Sequence, residues 1–205
     1  MANALEILMD EHRVIEKVLG SLETFAGRLE SEPDPRGTLR DFARFFREFA
    51  DRCHHAKEED RLFVEMVRHG FPREQGPIAV MLSDHVEGRA HVGGIAKAGE
   101  GAGPLSADEC ASVRYHAHAY VPLLRGHILK EDRVLYPMAA DALPADVMDR
   151  LAEDFEGHER HEMGEGKHEE LHRLAERLIE AYPPAEDGDS PSCGACGLHE
   201  AEAGR

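Results

Sequence analysis

Tryptophan is absent from the 205 residues and tyrosine occurs only four times, so aromatic packing has to come from eight phenylalanines. No apolar run is long enough to span a bilayer, which excludes a membrane-spanning helix. The N-terminus, Met1-Ala2-Asn3-Ala4-Leu5-Glu6, lacks the basic and apolar regions of a secretion signal, and a cytoplasmic location is expected. Positive charge is scarce: 24 Lys and Arg face 41 Asp and Glu, a net charge of -17. That balance disfavours nucleic acid and membrane surfaces as partners. The four cysteines fall in two groups. Cys53 and Cys110 stand alone inside helical patterns and are expected as buried thiols. Cys193 and Cys196 form a Cys-x-x-Cys, followed by His199.

Histidine, by contrast, is abundant. Fourteen in an acidic chain is the one compositional hint of metal chemistry. A hydrophobic content of 41% suffices for a core. The expected organisation is a helical bundle over residues 1–140, a helical extension over 141–184 and a disordered tail over 185–205, rich in Gly, Ser, Pro and acidic residues.

Leu5, Leu8, His12, Ile15, Leu19 and Leu22 recur at steps of three and four and predict a first helix. The Pro- and Gly-containing stretch 30–37 ends it. Thr38, with Asp41 three residues on, is the expected N-cap of a second helix carrying Phe42, Phe45, Phe46 and Phe49. Gly70-Phe71-Pro72 breaks that helix. Ile78, Met81, Leu82, His85, Val92 and Ala96 share a face of a third, and residues 99–104 read as a loop. Ser106-Ala107-Asp108-Glu109 is a capping box opening a fourth helix. That helix bears Tyr120, Leu123, Leu124, His127, Glu131, Val134, Leu135 and Met138 on one seam, and Pro122 is expected to kink it. Val147, Leu151 and Phe155, then Leu171, Leu174 and Leu178, predict two further helices, the last stopped by Pro183-Pro184. The expected fold is all-α: an antiparallel up-down-up-down four-helix bundle with additional C-terminal helices.

One short pattern occurs twice. Cys53-His54-His55-Ala56-Lys57-Glu58-Glu59-Asp60-Arg61-Leu62-Phe63 aligns with Gly126-His127-Ile128-Leu129-Lys130-Glu131-Asp132-Arg133-Val134-Leu135-Tyr136 when the Leu-aromatic pairs are matched. Each copy is a His-x-x-x-Glu, which puts an imidazole and a carboxylate one turn apart on one helix face. Two such pairs on facing helices can grip two ions. His12 and His85 hold seam positions on the other two helices. The four histidines are spaced 42, 31 and 42 residues apart, one helical hairpin step each. Burying Glu58 and Glu131 without cations would be costly, so the constellation predicts a metal site. On the second helix two registers compete. The repeat selects His54 and Glu58, whereas a wheel at about 100° per residue places His55 and Glu59 nearer the face of Leu62 and Met66.

Through Glu11-His12, Cys53 to Glu59, Asp84-His85 and His127 to Pro137, the chain resembles the hemerythrin-like HHE cation-binding domain family from Leu5 to about Ala140. The resemblance implies a four-helix bundle holding two iron ions, a non-haem di-iron centre with an oxo or hydroxo bridge. It implies His12, His54, Glu58, His85, His127 and Glu131 as ligands, with Glu58 and Glu131 bridging. Oxygen-carrying members have a second His four residues after that of the third helix, where this chain has Arg89. Their last carboxylate lies five residues after its His, the position of Asp132 here. The missing His leaves about two open coordination positions rather than one. His55 and Glu59 are available to fill one, and Arg89 to hydrogen-bond nearby.

Weaker candidates are His116 and Tyr120, further up the fourth seam, as partners of the ligands. His158, His161, His168 and His172 are expected in solvent, and Cys193, Cys196 and His199 supply only three of the four ligands of a structural zinc site. The functional expectation is a hemerythrin-like protein binding or sensing oxygen, nitric oxide or peroxide, or handling iron. The alternative is a di-iron enzyme turning over peroxide or nitric oxide, or an iron donor for cluster repair.

Overall fold

The computed structural model describes residues 3–185, and no strand occurs among them. The chain folds as an all-α bundle. α1 (Ala4–Arg28) opens on a capping box: Asn3 Oδ1 accepts from the Leu5 amide at 3.0 Å, and Glu6 accepts from the Asn3 amide at 3.1 Å. A short turn leads to α2 (Pro35–Phe45), whose N-cap is Asp34 rather than the expected Thr38. Asp34 accepts from the Gly37 amide at 3.0 Å, and Pro35 pre-sets the backbone at the first helical position. The Thr38 hydroxyl meets that of Tyr182 at 3.3 Å instead. The helix runs on through π1 (Phe46–His55), π2 (Glu58–Leu62) and α3 (Phe63–Arg68).

α4 (Gly76–Glu100) extends into the stretch expected as a loop. Arg36 and Arg40 explain the extension. Arg40 donates to the Gly99 carbonyl at 2.8 Å and Arg36 to that of Ala98, satisfying acceptors that a helix end leaves open. α5 (Ala107–Lys130) starts on the expected capping box and continues past Pro122 into π3 (Glu131–Leu135) and α6 (Tyr136–Ala142). α7 (Ala145–His158), π4 (Glu159–Met163) and α8 (Lys167–Ala181) follow. From 186 on, the expected disordered tail, with the zinc reading of Cys193, Cys196 and His199, lies outside the described residues.

α4 packs on α5 and α2, and α1 packs on α5. α8 lies against both α1 and α2. Its Leu171, Leu174, Ala175 and Leu178, together with Tyr182, belong to the same apolar cluster as Leu22, Phe25, Phe42 and Phe46. The extension is therefore part of the bundle's core. Full burial of each of these phenylalanines stabilises by roughly 1.5–3 kcal/mol.

The core is divided. One apolar cluster runs from Ile15 to Ala26 on α1 and takes in Phe49, Val92 and Leu124. The other contains Leu8, Leu62, Met81 and Leu135. Between them every long helix contributes polar side chains: Glu11 and His12, His54 to Glu58, His85, and His127 with Glu131, all buried apart from Ala56. The protein thus holds a buried polar layer between two apolar ones.

Candidate metal centre

The layer is assembled from imidazoles that each donate outward. Nδ1 of His54 donates to Glu11 at 2.9 Å, and that of His127 faces Asp84 at 3.3 Å. Nδ1 of His85 donates to Glu59 at 2.7 Å, and that of His12 to Asp132 at 2.8 Å. Each of these carboxylates has a cation: Lys57 at 2.6 Å for Glu11, Lys130 for Asp84, Arg89 at 2.7 Å for Glu59, and Arg13 for Asp132. A carboxylate on Nδ1 fixes the tautomer and leaves Nε2 with its lone pair facing inward, as metal-ligating histidines require.

The arrangement is internally symmetric. A shift of 73 residues carries Glu11, His12, His54, Lys57, Glu58 and Glu59 onto Asp84, His85, His127, Lys130, Glu131 and Asp132. The contacts follow: His12 lies parallel to Tyr136, with centroids 5.5 Å apart, and His85 parallel to Phe63 at 6.2 Å. Two inner positions break the match. His55 corresponds to Ile128, and the hydroxyl of Tyr136, which donates to Glu58 Oε1 at 2.6 Å, has no counterpart on Phe63.

The inward atoms form two groups. His12, His54, Glu58 and Glu131 make one; His55, Glu58, His85 and His127 make the other. Within each, one donor atom per residue lies within 4.8 Å of all the others, and Glu58 belongs to both. All six histidine and glutamate residues inferred from the family resemblance are therefore brought together, and His55 joins them. Glu59 does not: it lies outside the cluster as the acceptor of His85. Arg89 does not either, because it pairs with Asp51 at 2.6 Å and Glu59 at 2.7 Å. His116 meets His91, with Nδ1 atoms 3.2 Å apart, and Tyr120 sets its ring edge against Phe46, so neither is seen to touch the cluster.

The competition between registers on the second helix is resolved by its π segments. In a π-helix the hydrogen bond spans five residues, so positions five apart share a face. Phe49 with His54, and Ala50 with His55, are such pairs, and all four are buried. A uniform α-helical wheel would have turned either the phenylalanines or the histidines to solvent.

Electrostatics favour charge in the cluster despite burial. Burial opposes protonation of His12, but its hydrogen bond to Asp132 and the charge of the neighbouring Glu131 carboxylate prevail and raise it to about 9. His127 is likewise raised to about 10, against burial, by Glu131 and Asp84. Burial works to raise Glu58, yet the charges of His54 and His85 hold it far below its ordinary value. His55 is the exception: burial and the neighbouring His85 keep it neutral.

Several buried atoms nonetheless have no hydrogen-bond partner: His54 Nε2, His55 Nδ1, Glu58 Oε2 and both oxygens of Glu131. A buried carboxylate oxygen left unpaired is destabilising by about 1–3 kcal/mol or more. His54, Glu58 and Glu131 each turn a donor atom into the same space, where nitrogen and oxygen donors suit a divalent or trivalent ion of the iron type. The residues present fit a bound metal.

A third group, Glu11, Cys53, Glu159 and His168, already encloses a cation. The Lys57 ammonium, fully buried, bonds both Glu11 and Glu159. Sequence reading set Lys57 and Lys130 side by side in the repeat without giving them a role; their recurrence three residues after each His was the signal. The C-terminal histidines expected in solvent divide. His161 is exposed, whereas His158 is buried and donates to the Arg52 carbonyl at 2.8 Å. His168 and His172 lie against Phe49, because α8 packs on π1.

A sequence model described as the Hemerythrin HHE cation binding domain matches residues 3–139. Over 163 residues the chain is 26% identical to the uncharacterized proteins Mb2018 of Mycobacterium bovis and Rv1995 of Mycobacterium tuberculosis. The alignment covers 79% of this chain and 63% of each relative. No solved structure matches at a significant level. Among the described residues no helix is long and apolar enough to cross a membrane.

Proposed function

The chain belongs to the Hemerythrin HHE cation binding domain family, and from that membership we propose that its buried His/Glu layer holds two iron ions for a small ligand such as oxygen, nitric oxide or peroxide. The observation that carries this reading is the set of unpartnered buried atoms, His54 Nε2, Glu58 Oε2 and the two oxygens of Glu131, collected inside a dry bundle. His12, His54, Glu58 and Glu131 would hold one ion; His55, His85, His127 and Glu58 the other, with Glu58 shared. Iron supplies reversible one-electron chemistry and vacant positions for a diatomic or triatomic ligand.

The chain's own residues do the rest. Glu11, Asp84, Glu59 and Asp132 hold the imidazoles in one tautomer and orientation. The apolar clusters on either side exclude water. The Tyr136 hydroxyl, 2.6 Å from Glu58 and 3.4 Å from His12 Nε2, is a buried donor within the layer.

An anaerobic optical titration of the reduced, iron-loaded protein with oxygen, peroxide and nitric oxide tests the reading. Stoichiometric spectral change with one ligand, reversed on its removal, is the expected result for a carrier or sensor. Continuous consumption of peroxide or nitric oxide would instead identify an enzyme. No response to any of the three would contradict a small-ligand role.

A further inference from the structure

A cleft of about 350 Å³ opens between π1 and α4 and reaches the centre at His55. Phe46 and Val92 form apolar parts of its wall. His55 is only 5% exposed, and its Nδ1 lies 3.5 Å from the Asp51 carboxylate, which also lines the cleft. The rim carries Arg47, Arg52 and Arg89. Arg89 is neutralised by Asp51 and Glu59. Arg47 and Arg52 are exposed and form no ion pair among the described residues. On a chain of net charge -17, two unpaired guanidinium groups concentrate positive charge at this one mouth.

Resting on the reading of the layer as a metal centre, we propose that this cleft is the port by which a small inorganic anion reaches the His55 side of that centre. Arg47 and Arg52 draw the anion in against the overall negative charge. The apolar wall at Phe46 and Val92 restricts passage to ligands of a few atoms. The ion pairs of Arg89 tie α4 to π1 and π2 beside His55, which holds the cleft open at a fixed width.

Two measurements test the port. The first needs no metal. Val92→Cys, in a Cys193→Ser/Cys196→Ser chain, is treated with anionic and cationic methanethiosulfonate reagents of similar size. The anionic reagent should label the introduced thiol faster, and Arg47→Gln/Arg52→Gln should remove the preference. Equal labelling, or a cationic preference, in the chain that retains both arginines overturns the proposal.

The second follows azide binding to the ferric, iron-loaded protein by rapid mixing. Arg47→Gln/Arg52→Gln should slow azide association about tenfold with iron content unchanged. It should leave the rate for neutral nitric oxide, measured on the reduced protein, nearly as it was. An unchanged azide rate overturns the proposal. A chain that takes up no iron fails the metal-centre reading instead, and the labelling ratio alone then decides the port.

Discussion

The imidazole of His55 lies flat on that of His85, with ring centroids 3.8 Å apart and planes 18° apart. This stack joins π1 to α4 across the bundle. It adds a fifth imidazole to a layer whose other four are paired by the 73-residue shift. His85 in turn donates to Glu59, and Glu59 pairs with Arg89. The residue four after His85 is therefore occupied in holding the outer partner of an imidazole.

Glu58 and Glu59 are adjacent in sequence and opposite in role. Glu58 is fully buried at the junction of both donor groups, whereas Glu59 is partly exposed outside them. Glu58→Ala should abolish retention of both ions. Glu59→Ala should keep full occupancy at saturating metal while weakening affinity about 10–100-fold. Metal analysis after dialysis against a chelator series checks both. Loss of metal in the Glu59 variant with retention in the Glu58 variant would invert the assignment.

Lys57 and Lys130 occupy equivalent positions in the repeat but not equivalent surroundings. Lys57 is sealed between Glu11 and Glu159, while the Lys130 side chain is 43% exposed beside Asp84. Lys57→Met leaves Glu11 and Glu159 without the ammonium between them, with only His54 and His168 beside Glu11, a loss towards the about 3–5 kcal/mol of a broken buried pair. Lys130→Met should cost about 0.2–1 kcal/mol. Denaturant unfolding of the metal-free proteins measures both. Equal losses would contradict the sealed environment of Lys57.

Much of this was legible in the sequence. The His-x-x-x-Glu repeat and the seam positions of His12 and His85 mark the layer without coordinates, because a repeated ionisable motif on an apolar face has few structural uses. The sequence leaves His55 as one of two registers, because a single helical period does not describe a helix that changes period. Pro35 and Gly37 look like helix breakers in the sequence, which favours Thr38 as the cap, whereas they form the first turn after Asp34. The burial of His158 and the half-burial of His168 depend on where α7 and α8 dock, and their own periodicity does not specify that partner.

The metal-free protein should be sensitive to alkali. His12 and His127 are raised from 6.5 to about 9 and about 10. A raised folded value contributes stability that is complete below the unfolded value and lost as pH rises through the folded one. Glu58, Glu59 and Glu131 are depressed, so their contribution is present above the ordinary carboxylate range and lost on acidification. The Tm of the metal-free chain should peak between about pH 5 and 7 and fall towards pH 10. Metal displaces those protons, so the loaded protein should lack the alkaline decline and bind its metal more weakly as pH falls. A metal-free Tm that rises from pH 7 to 10 would contradict this balance.

The last helix can be separated experimentally from the tail. A chain ending at Pro184 retains α8 and should fold and load metal as the full chain does. A chain ending at residue 166 loses Leu171, Leu174, Leu178 and Tyr182 from the core, along with His168 beside Glu11. It should unfold at markedly lower temperature. Circular dichroism and metal content check both chains. Metal loss on removal of only the residues after Pro184 would assign Cys193, Cys196 or His199 to the centre.

The central claim is that two donor groups sharing Glu58 hold two ions. Its most direct test is elemental analysis of the chain expressed in iron-supplemented medium and purified without chelator, with protein concentration fixed by amino-acid analysis. The account predicts close to two iron atoms per chain. A value near one, zinc alone, or no tightly held metal would contradict it.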